Sequence, residues 1–244
     1  MHGLSLRVEV VSQLVGQEVE DSYGRVLGIL VSFNSDVNGN VRSIEIKVAD
    51  KGLDSVEGDR LQVTDGKLTI IPEWKYEALK VIEALDRAYR RRRALETLTS
   101  GSDIPAEIVE NLKRVLNEEI KNLKIRAEKV GRMIKDRLAT IEDESLHISK
   151  AIVDIQTLYF SGEVGEKSYT QSMNHLKKLR EKLIEEKNDA KKTLDKLEKT
   201  VEATITQQPP QKPIVQQEQK PQPQPQKQDT QQTPVPVVVK VEEA

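Results

Sequence analysis

The chain has no cysteine, which removes disulfides, thiolate nucleophiles and thiolate metal ligands together. Aromatic residues are almost as scarce. They make up 3% of 244 positions, with one Trp and two Phe, too few for one large core or for a stacking platform that would read bases. An excess of one charge is also missing, since 38 Lys and Arg face 40 Asp and Glu, so any basic site has to be local. The longest apolar stretch, Val26 to Val31, contains Gly28 and falls far short of the ~20 residues that cross a bilayer. MHGLSLRVEV lacks the apolar centre of a signal peptide. The expectation is a soluble, non-secreted protein that meets a membrane only at its surface.

Chemistry-bearing patterns are also thin. His2, His147 and His175 are too dispersed for a metal-ligand spacing, so neither a metal nor another cofactor is expected. GDRLQVTDGKL has the wrong spacing for a phosphate loop and places Leu68 where Ser or Thr would hold magnesium. The carboxylates of IEDESL read as a solvated helix face. No catalytic residue is expected, and the chain reads as a non-enzyme.

What is present divides into four segments of a multi-segment α+β chain. Residues 1–72 hold most of the glycines and alternate like strands, as in Val41, Ile44, Ile46 and Val48. DVNGN at 36–40 and Asp65-Gly66 are hairpin turns, and Asn-Gly wants both central residues at positive φ. Short strands at this spacing predict a small β-barrel or sandwich. After Pro72 the period changes to 3.6, with Leu79, Ile82, Leu85 and Tyr89 on one stripe. TSGSDIP ends that helix; Asp103 caps the next one, with Pro105 in its first turn.

Residues 73–206 as a whole form a helical coiled-coil region. From about residue 116 a heptad holds, with a at Ile120, Ala127, Ile134, Ile141, Ile148 and Ile155. Leu116, Leu123 and Val130 stand at d, where Arg137 and Glu144 then interrupt. Such a narrow stripe has to meet another helix, which makes Leu116, Ile120, Leu123, Val130, Ile134, Ile141, Ile148 and Ile155 the candidate self-association residues. β-Branched residues at a favour parallel pairs between chains. SGEVGEKSY offers the other arrangement, a helical hairpin in which Leu176 to Val201 folds back on the first arm.

Residues 207–232, rich in Gln and Pro, are expected to be a disordered linker. Residues 233–244, TPVPVVVKVEEA, are expected to be a partner-binding β-strand. Side chains alternate with period two along a strand, so Val235, Val237, Val239 and Val241 share one face and one backbone edge, with Val238 between them. Pro234 and Pro236 remove donors only from the opposite edge, as suits a peptide that adds to one sheet and admits no further strand. The second local feature is DRAYRRRRAL. Arg87, Arg90, Arg91 and Arg93 lie away from the apolar stripe and Arg92 flanks it, a cation patch suited to phosphate on lipid or DNA or, failing that, a solvated face.

VSQLVGQEVEDSYGRVLGILVSF, with Gly16, Val19, Asp21, Gly24, Leu27 and Gly28, resembles the opening of a PRC-barrel domain. With the coiled coil, the linker and the terminal valines, the whole chain is similar to the archaeal CdvA family of cell-division proteins. That resemblance implies a scaffold that self-assembles and associates peripherally with the inner face of the cell membrane at mid-cell. It also implies that the C-terminal peptide recruits the ESCRT-III-like protein CdvB through a winged-helix-like domain. Two other readings stay open: a DNA-binding architectural filament that uses the arginines, and an RNA-processing or ribosome-assembly factor built on the barrel.

Overall fold

The computed structural model describes residues 6–49, 51–99 and 105–203. All of them belong to one compact unit, Met1–Gln208. The linker and terminal peptide expected at 207–232 and 233–244 lie outside the described residues, as does Asp103.

A short helix, α1 (Val8–Val11), precedes six strands: β1 (Glu18–Asp21), β2 (Val26–Ser35), β3 (Val41–Val48), β4 (Gly52–Glu57), β5 (Leu61–Thr64) and β6 (Lys67–Ile70). They form one sheet in the order β4-β3-β2-β1-β6-β5. Every neighbouring pair is antiparallel except β1 with β6. The expected barrel is corrected here to an open sheet, because β4 and β5 each pair on one side only and do not pair with each other. A three-residue turn, Gly58–Arg60, carries the chain from one edge to the other. It lies so close to β3 that a Cβ on Gly58 would sit 2.2 Å from the Val41 carbonyl oxygen, so only glycine fits this corner. One apolar core nevertheless draws on all six strands, through Val19, Leu30, Ile44, Val56, Leu61 and Leu68 among others.

The turn chemistry was half legible. Asp65 (φ 52°) and Gly66 (φ 77°) both take positive φ between Thr64 and Lys67, as a two-residue hairpin requires. At 36–40 only Gly39 does, so the expected turn is corrected to a longer loop. There Asp36 Oδ1 accepts the backbone N–H groups of Asn38 and Asn40, both at 2.9 Å. Those bonds hold the Asp36 carboxyl below its usual range, and Arg42 at 2.9 Å assists.

Three long helices follow: α2 (Glu73–Thr99), α3 (Ala106–Phe160, 55 residues) and α4 (Glu166–Ala203). Pro105 is the N-cap of α3 rather than part of its first turn. The α3–α4 corner at Ser161–Gly165, where Gly162 takes φ +81°, folds the second arm back on the first. In α2 the buried face is Trp74, Ala78, Val81, Ile82, Leu85 and Ala88, whereas Leu79, placed on the stripe by its spacing, points out. The α3 helix packs against α2 from Leu116 to Leu138, and α4 joins them from Ala127 on.

Candidate functional site

The d-position interruptions of the heptad lead to the most densely connected polar site in the described residues. Arg137 of α3 donates twice to Glu186 of α4, Nε to Oε1 and Nη2 to Oε2, both at 2.7 Å. Its Nη1 reaches Glu144 Oε1 at 2.9 Å. Glu186 is 1% exposed. A lone carboxylate so buried would be costly, and a second arginine, Arg25 from the β1–β2 turn, meets Glu186 Oε2 at 2.7 Å. Arg25 also binds Asp21 Oδ2 at 2.6 Å, and Asp21 Oδ1 accepts the backbone N–H groups of Tyr23 and Arg25 at 2.9 Å.

The same turn grips the helices at two further points. The Tyr23 hydroxyl donates to Asp189 Oδ2 at 2.7 Å, where Lys75 of α2 also arrives at 2.7 Å. Lys182 of α4 donates to the Gly24 carbonyl. The Tyr23 ring packs into the apolar cluster of Trp74, Ala78 and Ile134, with the Arg25 guanidinium 5.4 Å from its centroid.

Electrostatics follow this geometry. Burial alone would raise the Glu186 carboxyl, yet Arg137 and Arg25 hold it below the usual carboxylate range. The bidentate bond to Glu186 raises the Arg137 guanidinium, against its burial. Burial first, then the bond to Asp189, pushes the Tyr23 phenol well above its usual value. Every one of these shifts fixes a group in one charge state near neutral pH, which suits a rigid joint and not proton transfer. Among the described residues no group of three or more His, Asp or Glu side chains could hold a metal. No described helix is long and apolar enough to cross a membrane.

The sequence of the helices matches a family model described as CdvA-like coiled-coil domain over residues 73–220. The chain is also 33% identical, over 195 residues, to Cell division protein A of Sulfolobus acidocaldarius, covering 80% of this chain and 82% of that protein. The chain belongs to the CdvA-like family.

In this CdvA-like chain the family match begins where α2 begins. The sheet residues Asp21, Tyr23 and Arg25 therefore join a segment outside the family model to helices inside it. None of the joint residues was singled out as a site from sequence. The only available signal was the pair of charges, Arg137 and Glu144, at positions where the heptad called for apolar residues.

The candidate self-association residues are brought onto one line but are covered within the chain. Leu116 and Ile120 pack with Ala88 of α2, and Leu123 lies beside them. Val130 and Ile134 pack between α2 and α4, and Ile141 is 0% exposed. Ile148 and Ile155, farther along, are half-buried. As far as Ile134 the seam is thus filled by α2 and α4 of the same chain, which is the fold-back arrangement. In the arginine cluster Arg87, Arg90 and Arg91 are exposed while Arg92 and Arg93 are half-buried. Arg87 meets Glu83 at 2.8 Å and Arg92 meets Glu96 at 3.8 Å. Val235, Val237, Val238, Val239 and Val241 lie outside the described residues.

Proposed function

We propose that this chain is a non-enzymatic cell-division scaffold. The observation that carries the reading is the 33% identity to Cell division protein A across four-fifths of the chain. A rigid joint in place of a reactive cleft supports it from the physical side, since it would hold a sheet at a fixed attitude on a long helical rod.

In this reading the chain self-assembles and lies peripherally on the inner face of the cell membrane at the division site. It recruits an ESCRT-III-like protein, CdvB, by adding the strand Val235–Val241 to a winged-helix-like domain. The exposed arginines Arg87, Arg90 and Arg91 support a contact with anionic lipid, at about 1 kcal/mol per residue near such a surface.

Strand parity tests the recruiting step. Three peptides of residues 233–244, the parent, Val237→Pro and Val238→Pro, are titrated against the partner's C-terminal domain. Val237→Pro removes a donor from the receiving edge and should weaken binding strongly; Val238→Pro removes one from the edge already blocked and should cost clearly less. Equal losses would rule out the register, and full binding by both would rule out strand addition. Replacing Arg90, Arg91, Arg92 and Arg93 by Ser should sharply reduce vesicle flotation at low salt, and unchanged flotation returns them to a solvated face. The same variant run against duplex DNA at matched salt separates a lipid contact from a nucleic-acid one.

A further inference from the structure

The sheet and the helices draw on separate apolar cores. Val19, Leu30 and Ile44 belong to one, Ile82, Val130 and Ile134 to the other, and among the described residues the two share none. Tyr23 is the one residue of the sheet segment that packs into the helical cluster. Covalently the two parts are joined only by Ile71 and Pro72, between β6 and α2. The Ile71 N–H donates to the Arg60 carbonyl at 2.8 Å, which keeps Ile71 with the sheet. The Pro72 carbonyl accepts the N–H groups of Lys75 and Tyr76, both at 3.0 Å, which keeps Pro72 with α2. Their junction is placed as a pivot.

The polar contacts that cross from sheet to helix are duplicated on each side. Arg25 reaches over to Glu186 but also holds Asp21 within its own turn at 2.6 Å. Glu186 keeps the bidentate bond of Arg137 within the helices. Asp189, which accepts the Tyr23 hydroxyl, keeps Lys75 of α2 at 2.7 Å. Lys182, donor to the Gly24 carbonyl, is only half-buried and can pass to water. Parting the sheet from the helices therefore strands no carboxylate or guanidinium, and escapes the penalty that makes an ordinary buried ion pair hard to separate. One group is worse off while the parts are together. The indole N–H of Trp74, buried two positions from the pivot, has no acceptor among the described residues, a cost that access to water would remove.

We propose that the sheet is a hinged head, pivoting at Ile71–Pro72 and latched by Tyr23 and Arg25 onto Asp189 and Glu186, with a second state in which the latch is open. Shut, it holds the fixed attitude described above. Open, it bares the helical face around Trp74 on which Tyr23 now packs. Both residues that receive the latch lie on α4, so the head closes only where α4 has folded back on α3. The latch thereby couples the attitude of the sheet to the helical hairpin, and a partner that takes either half of it would release the head.

The absence of cysteine makes the test clean, because introduced thiols take spin labels without competition. Val37→Cys in the sheet segment and Ile184→Cys on α4 are exposed sites. Double electron–electron resonance is run on the full labelled chain, diluted with unlabelled chain so that only distances within one chain are read. The parent should give one narrow distance. Tyr23→Phe with Arg25→Gln removes both latch bonds and keeps the ring. It should raise the population of a second, broader distance by roughly tenfold or more, since both lost bonds involve a charged group. Acrylamide quenching of Trp74, the chain's single Trp, should rise in parallel. Asp189→Ala, which alters no sheet residue, should move both readouts the same way. Tyr76→Phe, which loses a contact to Asp59 at 3.1 Å beside the pivot, should leave both unchanged. A single narrow distance in the latch variants overturns the proposal, as does an equal effect of Tyr76→Phe. Loss of strand signal in circular dichroism when the latch is cut overturns it too, since the head would then need the helices to fold. A parent that is already broad would mean that there is no latch.

Discussion

The two halves of α3 share one heptad and live in different surroundings. From Leu116 to Ile134 the apolar stripe is covered by α2, joined by α4 from Ala127 on, and its members at 116, 120, 127, 130, 134 and 141 are buried. From Ile148 to Ile155 the same stripe is only half-buried. A heptad therefore records which face of a helix is apolar and not how many partners cover it. The proximal half acts as a small bundle with a core; the distal half is a two-stranded arm whose outer face also carries Leu146, Val153 and Phe160.

The largest expected effect breaks this comparison most directly. Ile134 is 0% exposed between three helices, so Ile134→Ala should cost about 3–4 kcal/mol, the transfer of the lost methyls plus the cavity they leave. Ile155→Ala, at the same heptad position in the arm, should cost only about 1 kcal/mol, since water already reaches it. Urea unfolding of both variants followed by helical circular dichroism checks the pair. Equal losses would mean that the arm is covered as fully as the bundle.

The joint lies at the boundary of the two halves, and its removal is the next effect down. Glu186→Gln leaves Arg25 and Arg137 facing a neutral amide. Each keeps a second carboxylate, Asp21 or Glu144, and each is about a quarter exposed, so the cost should be about 2 kcal/mol rather than the 3–5 of a fully isolated buried pair. The sign of the pH dependence follows from the lowered Glu186 value. Its stabilisation is complete above the unfolded carboxyl value of about 4.3 and is lost as pH falls through the lower folded-state value. The stability gap between parent and variant should be flat above roughly pH 5 and close towards more acid conditions. A gap that widens with acid would remove Glu186 from the joint.

Local signals in the sequence survived where the physics is local. The Asp65-Gly66 turn, the change of period after Pro72 and the corner at Gly162 each depend on a few neighbouring residues. Closure of the sheet was not legible, because whether β4 meets β5 depends on strand pairing across the whole domain. The joint was least legible of all. Tyr23 and Asp189 are 166 positions apart and Arg137 and Glu186 are 49 apart, so their complementarity appears only once the hairpin brings α4 back. Leu79 shows the reverse failure: its spacing fits the stripe of α2, yet the bundle buries Ala78 and Val81 instead, because two helices cover this face and shift its centre.

The smallest expected effect has the opposite sign. Gly131 lies in the proximal half of α3, inside a long helix where glycine costs about 0.8–1.0 kcal/mol relative to alanine. Its surroundings would accept a methyl, since the nearest heavy atom to an added Cβ is Leu194 Cδ1 at 3.9 Å, an ordinary contact. The α3–α4 groove there is open, about 550 Å³, and floored by Ala127, Leu194, Leu197 and Val201. Gly131→Ala should thus stabilise the bundle by about 0.5–1 kcal/mol, seen as a rise of roughly 2–4 °C in the melting temperature. Gly58→Ala, against the Val41 carbonyl, is the control that has to destabilise. A loss of stability for Gly131→Ala would mean that α3 and α4 pack closer than 3.9 Å allows. Unchanged melting with weakened self-association would mean that another chain occupies the groove, and the proximal half of α3 would then be covered by a fourth helix from outside.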